Sequence, residues 1–158
     1  MAGIDRPKIR KVDIEKGNSV NVLKKQGQQY LFLLYILLAK SKAEDLDGSI
    51  ITSRSYNDLH RHHIFPRNII NESGMAPDEP DEKEIYISGL GNITFISENL
   101  HETLPDNEEP IEYLPKYPPL QKHFIPEGKN LWKLENYEKF KQARIKKYTP
   151  TQKNILLT

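Results

Sequence analysis

The feature that most restricts the fold is a run of ten apolar or aromatic residues at positions 30–39. A bilayer crossing needs about twenty such residues, so this run predicts a buried helix and not a membrane span. The helix is expected over residues 21–42, and because it is apolar on nearly all sides it should lie at the centre of the core. Residues 1–25 contain no apolar run of the kind that a secretory signal carries, which favours a cytoplasmic protein.

Composition narrows the class of protein. With 158 residues the chain has the length of one ordinary domain. It contains no cysteine, which excludes disulfide scaffolds, cysteine-ligated zinc and thiol nucleophiles. Its formal net charge of +1 excludes a uniformly basic protein that coats nucleic acid, although it does not exclude an enzyme that acts on nucleic acid.

The charges are unevenly distributed along the chain. Residues 1–25 carry seven Lys or Arg against three acidic residues, and residues 133–158 carry seven against two. Residues 71–114 carry twelve acidic residues and one Lys. Two interpretations stay open. Either the basic ends follow a phosphate backbone while the central carboxylates face solvent or a metal, or all three regions are solvated surface.

The rest of the chain predicts short strands and helices. Pro66 should end a strand within residues 59–66, and residues 98–104 suit a short helix that ends before Pro105. Trp132, Tyr137 and Phe140 are expected in the core. The other predicted elements are strands at 84–87 and 92–97, a helix at 134–148, and loops at 71–81 and 106–119.

The histidines suggest a site. His62 and His63 stand near the predicted end of the first strand, where neighbouring side chains can reach the same place. Asn92 begins the second strand, and His101 lies nine residues further on, in the predicted helix. A strand, a strand and a helix that carry His-His, Asn and His in this order are typical of a small metal-dependent phosphodiesterase site.

Residues 59–66 and 91–101 resemble the HNH, or ββα-metal, endonuclease motif. More narrowly, the segments HHIFP, LGNITFIS and HFIPEGKNLWKLENYEKF are similar to the C-terminal nuclease domain of GmrSD-type modification-dependent restriction proteins, over roughly residues 30–144. The resemblance implies an α+β fold in which a ββα-metal (His-Me finger) nuclease core is wrapped by N- and C-terminal helices. We therefore expect a basic arm or linker at 1–19, a single HNH nuclease domain at 20–148 with its core motif at 59–104, and a tail at 149–158.

The resemblance also implies a role for each site residue. His63 corresponds to the general base, which histidine can serve because its unperturbed pKa is about 6.5. His62 and His101 correspond to the protein ligands of one divalent metal ion, and Asn92 to a residue that hydrogen-bonds the backbone near the base and orients it. Mg²⁺ is the expected ion because it is abundant. Mn²⁺ and Zn²⁺ are alternatives, since imidazole suits transition metals better than magnesium.

Of four further residues, three have more than one interpretation. Arg61 and Arg67 flank the base and would either hold phosphates of the nucleic acid or form surface salt bridges to the acidic loop. His60 would be a surface histidine, an additional ligand or a DNA contact. His123 is expected to be structural.

The sequence thus predicts a metal-dependent HNH endonuclease that hydrolyses phosphodiester bonds of DNA, in restriction or phage defence. Two alternatives stay open: an RNA-cleaving nuclease of the same fold, and an inactive module that binds nucleic acid or metal. The expected partners are DNA and an NTPase or specificity domain or subunit that this sequence does not contain. No membrane partner is expected.

Overall fold

The computed structural model describes residues 11–45 and 47–157. Within these residues the chain forms seven α-helices and two β-strands, joined by short 3-10 helices. The α-helices are α1 (Lys11–Gly17), α2 (Gln28–Ser41), α3 (Arg67–Ser73), α4 (Pro80–Ile87), α5 (Glu98–Thr103), α6 (Pro110–Tyr113) and α7 (Tyr137–Leu157), and the strands are β1 (His60–His63) and β2 (Ile93–Ile96). The 3-10 helices are Lys25–Gly27, Ile51–Ser53, Tyr56–Asp58, Leu90–Asn92, Leu114–Lys116, Pro118–Lys122, Lys129–Trp132 and Leu134–Asn136.

The two strands form a small antiparallel sheet although a long segment separates them in the sequence. His60 pairs with Ile96, and His63 at the other end of β1 pairs with Ile93. The segment between the strands contains α3 and α4, and α5 follows β2 almost directly. The combination of helices with a two-stranded sheet agrees with the predicted α+β class in its general form.

The sheet lies between two apolar clusters, because successive side chains of a strand point to opposite faces. Ile93 and Phe95 join the first cluster, to which α2 contributes Leu31, Leu33, Leu34, Leu37 and Leu38, as expected of the central helix. Ile96 belongs to the second cluster, which also contains the predicted core residues Trp132, Tyr137 and Phe140. In the parts of the chain that the structure describes, no helix carries an apolar stretch of the length that a bilayer crossing requires.

A buried arginine attaches α7 to the sheet. Arg144 is fully buried and donates to the carbonyl oxygens of Leu90, Gly91, Ile93 and His123 at 2.6–3.3 Å. No carboxylate among the described residues forms an ion pair with it, so these four carbonyl dipoles compensate its charge. The arginine therefore fixes the turn that leads into β2.

The central helix begins later than the sequence predicts, at Gln28 instead of residue 21. The chain before it folds back tightly, since a Cβ atom on Gly27 would lie 2.3 Å from the carbonyl oxygen of Asn21. Val22 is buried and donates its N–H to the carbonyl of Ser88 at 3.1 Å. This long-range contact overrides the helical pattern of residues 21–27.

Residues 84–87, predicted as a strand, belong to α4, so this prediction is wrong. Pro80 lies in the first turn of the helix, and the Glu79 carboxylate accepts the N–H of Glu82 at 2.7 Å. A proline in the first turn and a capping carboxylate both stabilise a helix start. These two signals outweigh the strand preference of a four-residue segment.

Three predicted irregular segments are more ordered than expected. The loop at 71–81 contains the end of α3 and the start of α4, and the loop at 106–119 contains α6 and 3-10 turns. Residues 1–10 of the predicted arm lie outside the described residues, whereas α1 packs through the buried Ile14. The helix predicted at 134–148 begins at Tyr137 and continues to Leu157, into the predicted tail.

We predict that Arg144→Met destabilises the domain strongly. The change keeps a long apolar side chain but removes the donors to four carbonyl groups, and a buried group left unpaired costs about 1–3 kcal/mol. The free energy of unfolding, measured by urea denaturation, should fall by about 3 kcal/mol or more. Lys147→Met, which removes one hydrogen bond to the carbonyl of Ile125, should cost about 1 kcal/mol. Equal losses in the two variants would contradict the role given to Arg144.

Candidate active site

A cleft of about 570 Å³ opens beside the end of β1. Its walls come from β1, the start of α3, the end of α5 and the turn that follows α5. The residues that line it are Arg61, His62, His63, Pro66, Arg67, Asn68, His101, Glu102, Leu104, Pro105 and Asp106. The three histidines that the sequence assigns to the site therefore line one cleft.

His62 lies at the inner side of the cleft and is only 8% exposed. Its Nε2 atom is 3.2 Å from the hydroxyl of Tyr113, which in turn donates to the carbonyl oxygen of Ile64. Burial, with smaller contributions from His63 and His101, lowers the pKa of His62 from its ordinary 6.5 to about 3. His62 is therefore neutral at pH 7, the state in which an imidazole binds a metal.

A polar network that includes α3 and α4 holds His63. Its Nε2 atom lies 2.9 Å from the hydroxyl of Ser88, which also accepts from Nη2 of Arg67 at 3.2 Å. Arg67 forms a bidentate ion pair with Glu84 at 2.6 and 2.8 Å. Burial, followed by the charge of Arg67, lowers the pKa of His63 to about 4, while Glu84 acts in the opposite direction. At pH 7 the His63 imidazole is neutral and can accept a proton.

The side chain of Asn92 joins the end of β1 to the turn before β2. It is fully buried; Oδ1 accepts the N–H of Phe65 at 2.8 Å, and Nδ2 donates to the carbonyl oxygens of Phe65 at 3.1 Å and Ile87 at 2.9 Å. The Asn92 carbonyl also accepts the N–H of Ile64 at 2.9 Å. The backbone that follows His63 is thus held as the resemblance implied. The effect of Asn92 on a reaction stays a prediction.

Helix α5 brings His101 to the edge of the cleft. The helix begins after Ser97, whose hydroxyl accepts the N–H of Leu100 at 3.3 Å. The His101 ring stacks on the ring of His60 in β1, with centroids 4.7 Å apart and planes inclined by 12°. His60 is not one of the residues that line the cleft. Its observed contact is therefore with His101, which it holds against the strand.

The two arginines of the cleft differ in their contacts. Arg67 pairs with Glu84, so the structure favours the salt-bridge interpretation, although its partner lies on α4 and not in the acidic loop. Arg61 is exposed at the cleft wall, and it forms no ion pair with any residue that the structure describes. Of the two guanidinium groups, that of Arg61 is the one available to a phosphate.

His123 is buried outside the cleft, and both of its ring nitrogens are bonded to the protein. Nδ1 lies 2.7 Å from the hydroxyl of Thr94, and Nε2 lies 2.7 Å from the carbonyl oxygen of Glu44. Burial lowers the pKa of His123 to about 4. The residue joins β2 to the segment after α2, which agrees with its expected structural role.

The cleft offers two imidazole side chains, those of His62 and His101, for the predicted metal site. Within residues 11–45 and 47–157, no three His, Asp or Glu side chains are grouped so that they could hold a metal ion. The predicted site needs only two protein ligands, His62 and His101, with water and phosphate oxygens in the other positions. The donors fit this arrangement in their chemistry, since both imidazoles line one cleft and His62 is neutral. Such nitrogen donors suit Mn²⁺ or Zn²⁺ better than Mg²⁺.

Sequence reasoning missed three residues around the histidines. Tyr113 lies 51 residues from His62, in a stretch predicted as a loop, and nothing local signals its contact. Ser88 and Glu84 were missed because residues 84–87 were predicted as a strand. In a helix, positions four residues apart lie on one face, so recognition of α4 would have placed Glu84 and Ser88 side by side.

We predict that the domain loses stability as the pH falls from 6.5 towards 4. His62, His63 and His123 have folded-state pKa values below 6.5, so their contribution is complete above the unfolded-state pKa and is lost on acidification. Each histidine that only the unfolded chain protonates contributes a slope of about 1.4 kcal/mol per pH unit. Urea denaturation between about pH 6 and 5, above the range of the carboxylates, measures this slope.

His63→Gln is the control for this measurement, because it removes one of the three titrating groups and should reduce the slope by about 1.4 kcal/mol per pH unit. EDTA in all samples prevents metal binding from changing the result. A free energy of unfolding that does not vary over this pH range would show that the three imidazoles are not held neutral by the fold.

Comparison with known proteins gives a family for the chain. The family model described as GmrSD restriction endonucleases, C-terminal domain, matches residues 9–149. No curated protein and no solved structure gave a match. The matched range includes both strands, α5 and every residue that lines the cleft. The chain therefore belongs to the family formed by the C-terminal domains of GmrSD restriction endonucleases.

Proposed function

We propose that this domain is a metal-dependent endonuclease that hydrolyses phosphodiester bonds of DNA. Membership of the family indicates a nuclease function of the restriction-endonuclease kind. The proposal adds the metal, the substrate and the residues. The observation that carries it is that His62, His63 and His101 line one cleft, while the Asn92 side chain holds the backbone next to the base.

His63 is the proton acceptor of the proposed reaction. Phosphodiester hydrolysis needs a water molecule that loses a proton as it attacks phosphorus in line with the leaving oxygen. When Nε2–H of His63 donates to Ser88, the lone pair on Nδ1 is free to take that proton. The negative charge of a bound phosphate raises the pKa of His63 from its low value, because an opposite charge stabilises the imidazolium.

A divalent cation would be held by His62 and His101. When bound, it supplies Lewis acidity and offsets the charge that develops on the phosphate and the leaving oxygen. His62 and His101 line the same cleft. The stacking of His60 on His101 restricts the orientation of the second proposed ligand.

The charges around the cleft support a role for a cation. The charge of Arg67 is balanced by Glu84. Arg61 shares the cleft with two carboxylates, Glu102 and Asp106. The protein by itself therefore offers a polyanion no net attraction at this place, whereas a divalent ion between the imidazoles would reverse the local sign.

We further propose that the domain acts in the cytoplasm, in restriction or phage defence, together with an NTPase or specificity domain or subunit. The family supports a restriction system. The partner domain or subunit is implied by the resemblance, and the cytoplasmic location is the expectation drawn from residues 1–25 of the sequence. Hydrolysis of RNA would use the same residues, and a module that only binds nucleic acid or metal would have the same fold. Both are therefore outcomes of the experiment below.

We predict that His63→Gln lowers nicking of supercoiled plasmid at least about 100-fold, the usual contribution of a general base. The assay uses Mg²⁺, Mn²⁺, Zn²⁺ and Ni²⁺ in turn, with EDTA as the metal-free sample and circular dichroism as the test of folding. His123→Gln changes a histidine outside the cleft and should retain nicking at a temperature at which both variants are folded.

Three other results of these assays would contradict the proposed function or favour one of its alternatives. Equal nicking by His63→Gln and the wild type would refute the assignment of the base. Cleavage of labelled RNA without cleavage of DNA would make the domain a ribonuclease. DNA binding that survives EDTA, without strand breaks under any of the four ions, would favour the inactive binding module.

We predict that Arg61→Gln removes one phosphate contact. The slope of log affinity against log salt concentration for duplex DNA should become shallower by about one unit. Binding is measured in the His63→Gln background so that the DNA stays intact. Arg54→Gln is the matched control, because the Arg54 guanidinium already lies 3.6 Å from Asp45 and 3.4 Å from Asp47. Identical salt slopes for Arg61→Gln and its parent would remove Arg61 from the interface.

A further inference from the structure

Tyr113 is a fully buried residue of α6 that contacts both His62 and the backbone that follows it. Its hydroxyl lies 3.2 Å from Nε2 of His62 and donates to the carbonyl oxygen of Ile64. The phenol and imidazole rings meet edge to face, with centroids 6.1 Å apart and planes inclined by 79°. The reaction proposed above assigns no part to Tyr113.

The number of hydrogens on the Tyr113 hydroxyl determines which atom donates in its hydrogen bond with His62. A carbonyl oxygen can only accept, so the single hydrogen of the Tyr113 hydroxyl goes to Ile64. The hydroxyl oxygen can then enter a second hydrogen bond only as an acceptor, and His62 must donate to it from Nε2.

The number of hydrogens on the His62 ring likewise identifies which of its nitrogens keeps a free lone pair. A neutral imidazole carries one hydrogen, and its other nitrogen holds a lone pair. In His62 that nitrogen is Nδ1, and because the two ring nitrogens point in nearly opposite directions, Nδ1 points away from Tyr113. We propose that Tyr113 is a positioning residue that holds His62 as the Nε2–H tautomer and leaves Nδ1 as the atom that binds a divalent cation. This inference rests on the proposed function, since it takes His62 to be a metal ligand.

His123 provides a contrast within the same protein. Its Nε2 donates to the carbonyl of Glu44 and its Nδ1 accepts from the hydroxyl of Thr94, so neither nitrogen has a free lone pair. His62 is buried to a similar degree, but only its Nε2 bonds to a residue that the structure describes. A histidine that binds a metal commonly donates its other ring N–H to a protein acceptor. Both histidines donate Nε2–H to a protein acceptor, but only His62 keeps a lone pair on Nδ1 that no described residue occupies.

Nitrogen-15 NMR of the histidine rings tests the tautomer directly. In the metal-free wild type, His62 should carry its hydrogen on Nε2 and a lone pair on Nδ1. Tyr113→Phe keeps the ring but removes the acceptor, so both tautomers should become populated. Tyr137→Phe is the matched control, because it removes from another buried tyrosine a hydroxyl that donates to a backbone carbonyl, that of Tyr86 at 2.6 Å. It should leave the His62 signals unchanged.

Zn²⁺ titration by calorimetry tests the ligand role, with the full chain in each case. Tyr113→Phe should bind Zn²⁺ about 10- to 100-fold more weakly than the wild type, the usual loss when the group that orients a metal-binding histidine is removed. Tyr137→Phe should bind like the wild type, and His62→Ala should lose the site. Circular dichroism establishes that each variant is folded. If Tyr113→Phe does not fold, the nitrogen-15 NMR spectrum of the wild type still decides the tautomer of His62.

Three results would overturn the inference, and they separate it from the proposed function. An Nδ1–H tautomer of His62 in the wild type would do so whatever the metal result. A Zn²⁺ affinity of Tyr113→Phe equal to that of the wild type would reject the positioning role but leave the proposed function intact, provided that His62→Ala loses zinc. Failure of the wild type to bind Zn²⁺ would reject the proposed metal site, and the ligand role of Nδ1 with it.

Discussion

The geometry of the cleft depends on the side-chain amide of Asn92. The amide bonds to both backbone groups of Phe65 and to the carbonyl of Ile87, and so joins the end of β1, the end of α4 and the turn before β2. An amide suits this place because it donates and accepts at one point. A carboxylate or an apolar side chain would leave two or three buried backbone groups unpaired. His62 and His63 take their positions from the strand whose end this amide holds.

Arg144 also constrains this turn. It holds the carbonyl groups of Gly91 and Ile93, which flank Asn92 in the sequence. A buried charge without a carboxylate partner is costly, and here four carbonyl dipoles offset that cost. Because α4, α7 and β1 all bond to a turn of three residues, the turn has little freedom. The proposed base and the proposed ligands are therefore carried by rigid elements, which catalytic geometry requires.

The sequence could predict those parts of the site that depend on local patterns. The order of strand, strand and helix and the spacing of His62, His63 and His101 follow from short stretches of sequence, and the structure brings these residues to one cleft. The partners of the histidines depend on contacts between distant segments, and no local pattern indicates the contact of Tyr113 with His62. Residues 84–87 of α4 were predicted as a strand because four residues are too few to show a helical or a strand periodicity, and this error hid the pairing of Arg67 with Glu84.

The position of Arg144 in the chain has a consequence for synthesis of the protein. The cleft residues run from Arg61 to Asp106, and the arginine that holds the turn between the strands comes later, in α7. The ribosome therefore releases every histidine of the cleft before it releases the side chain that immobilises their support. A nascent chain that stops before residue 144 lacks the side chain that holds this turn, so the support of the cleft histidines is complete only after translation has passed that residue.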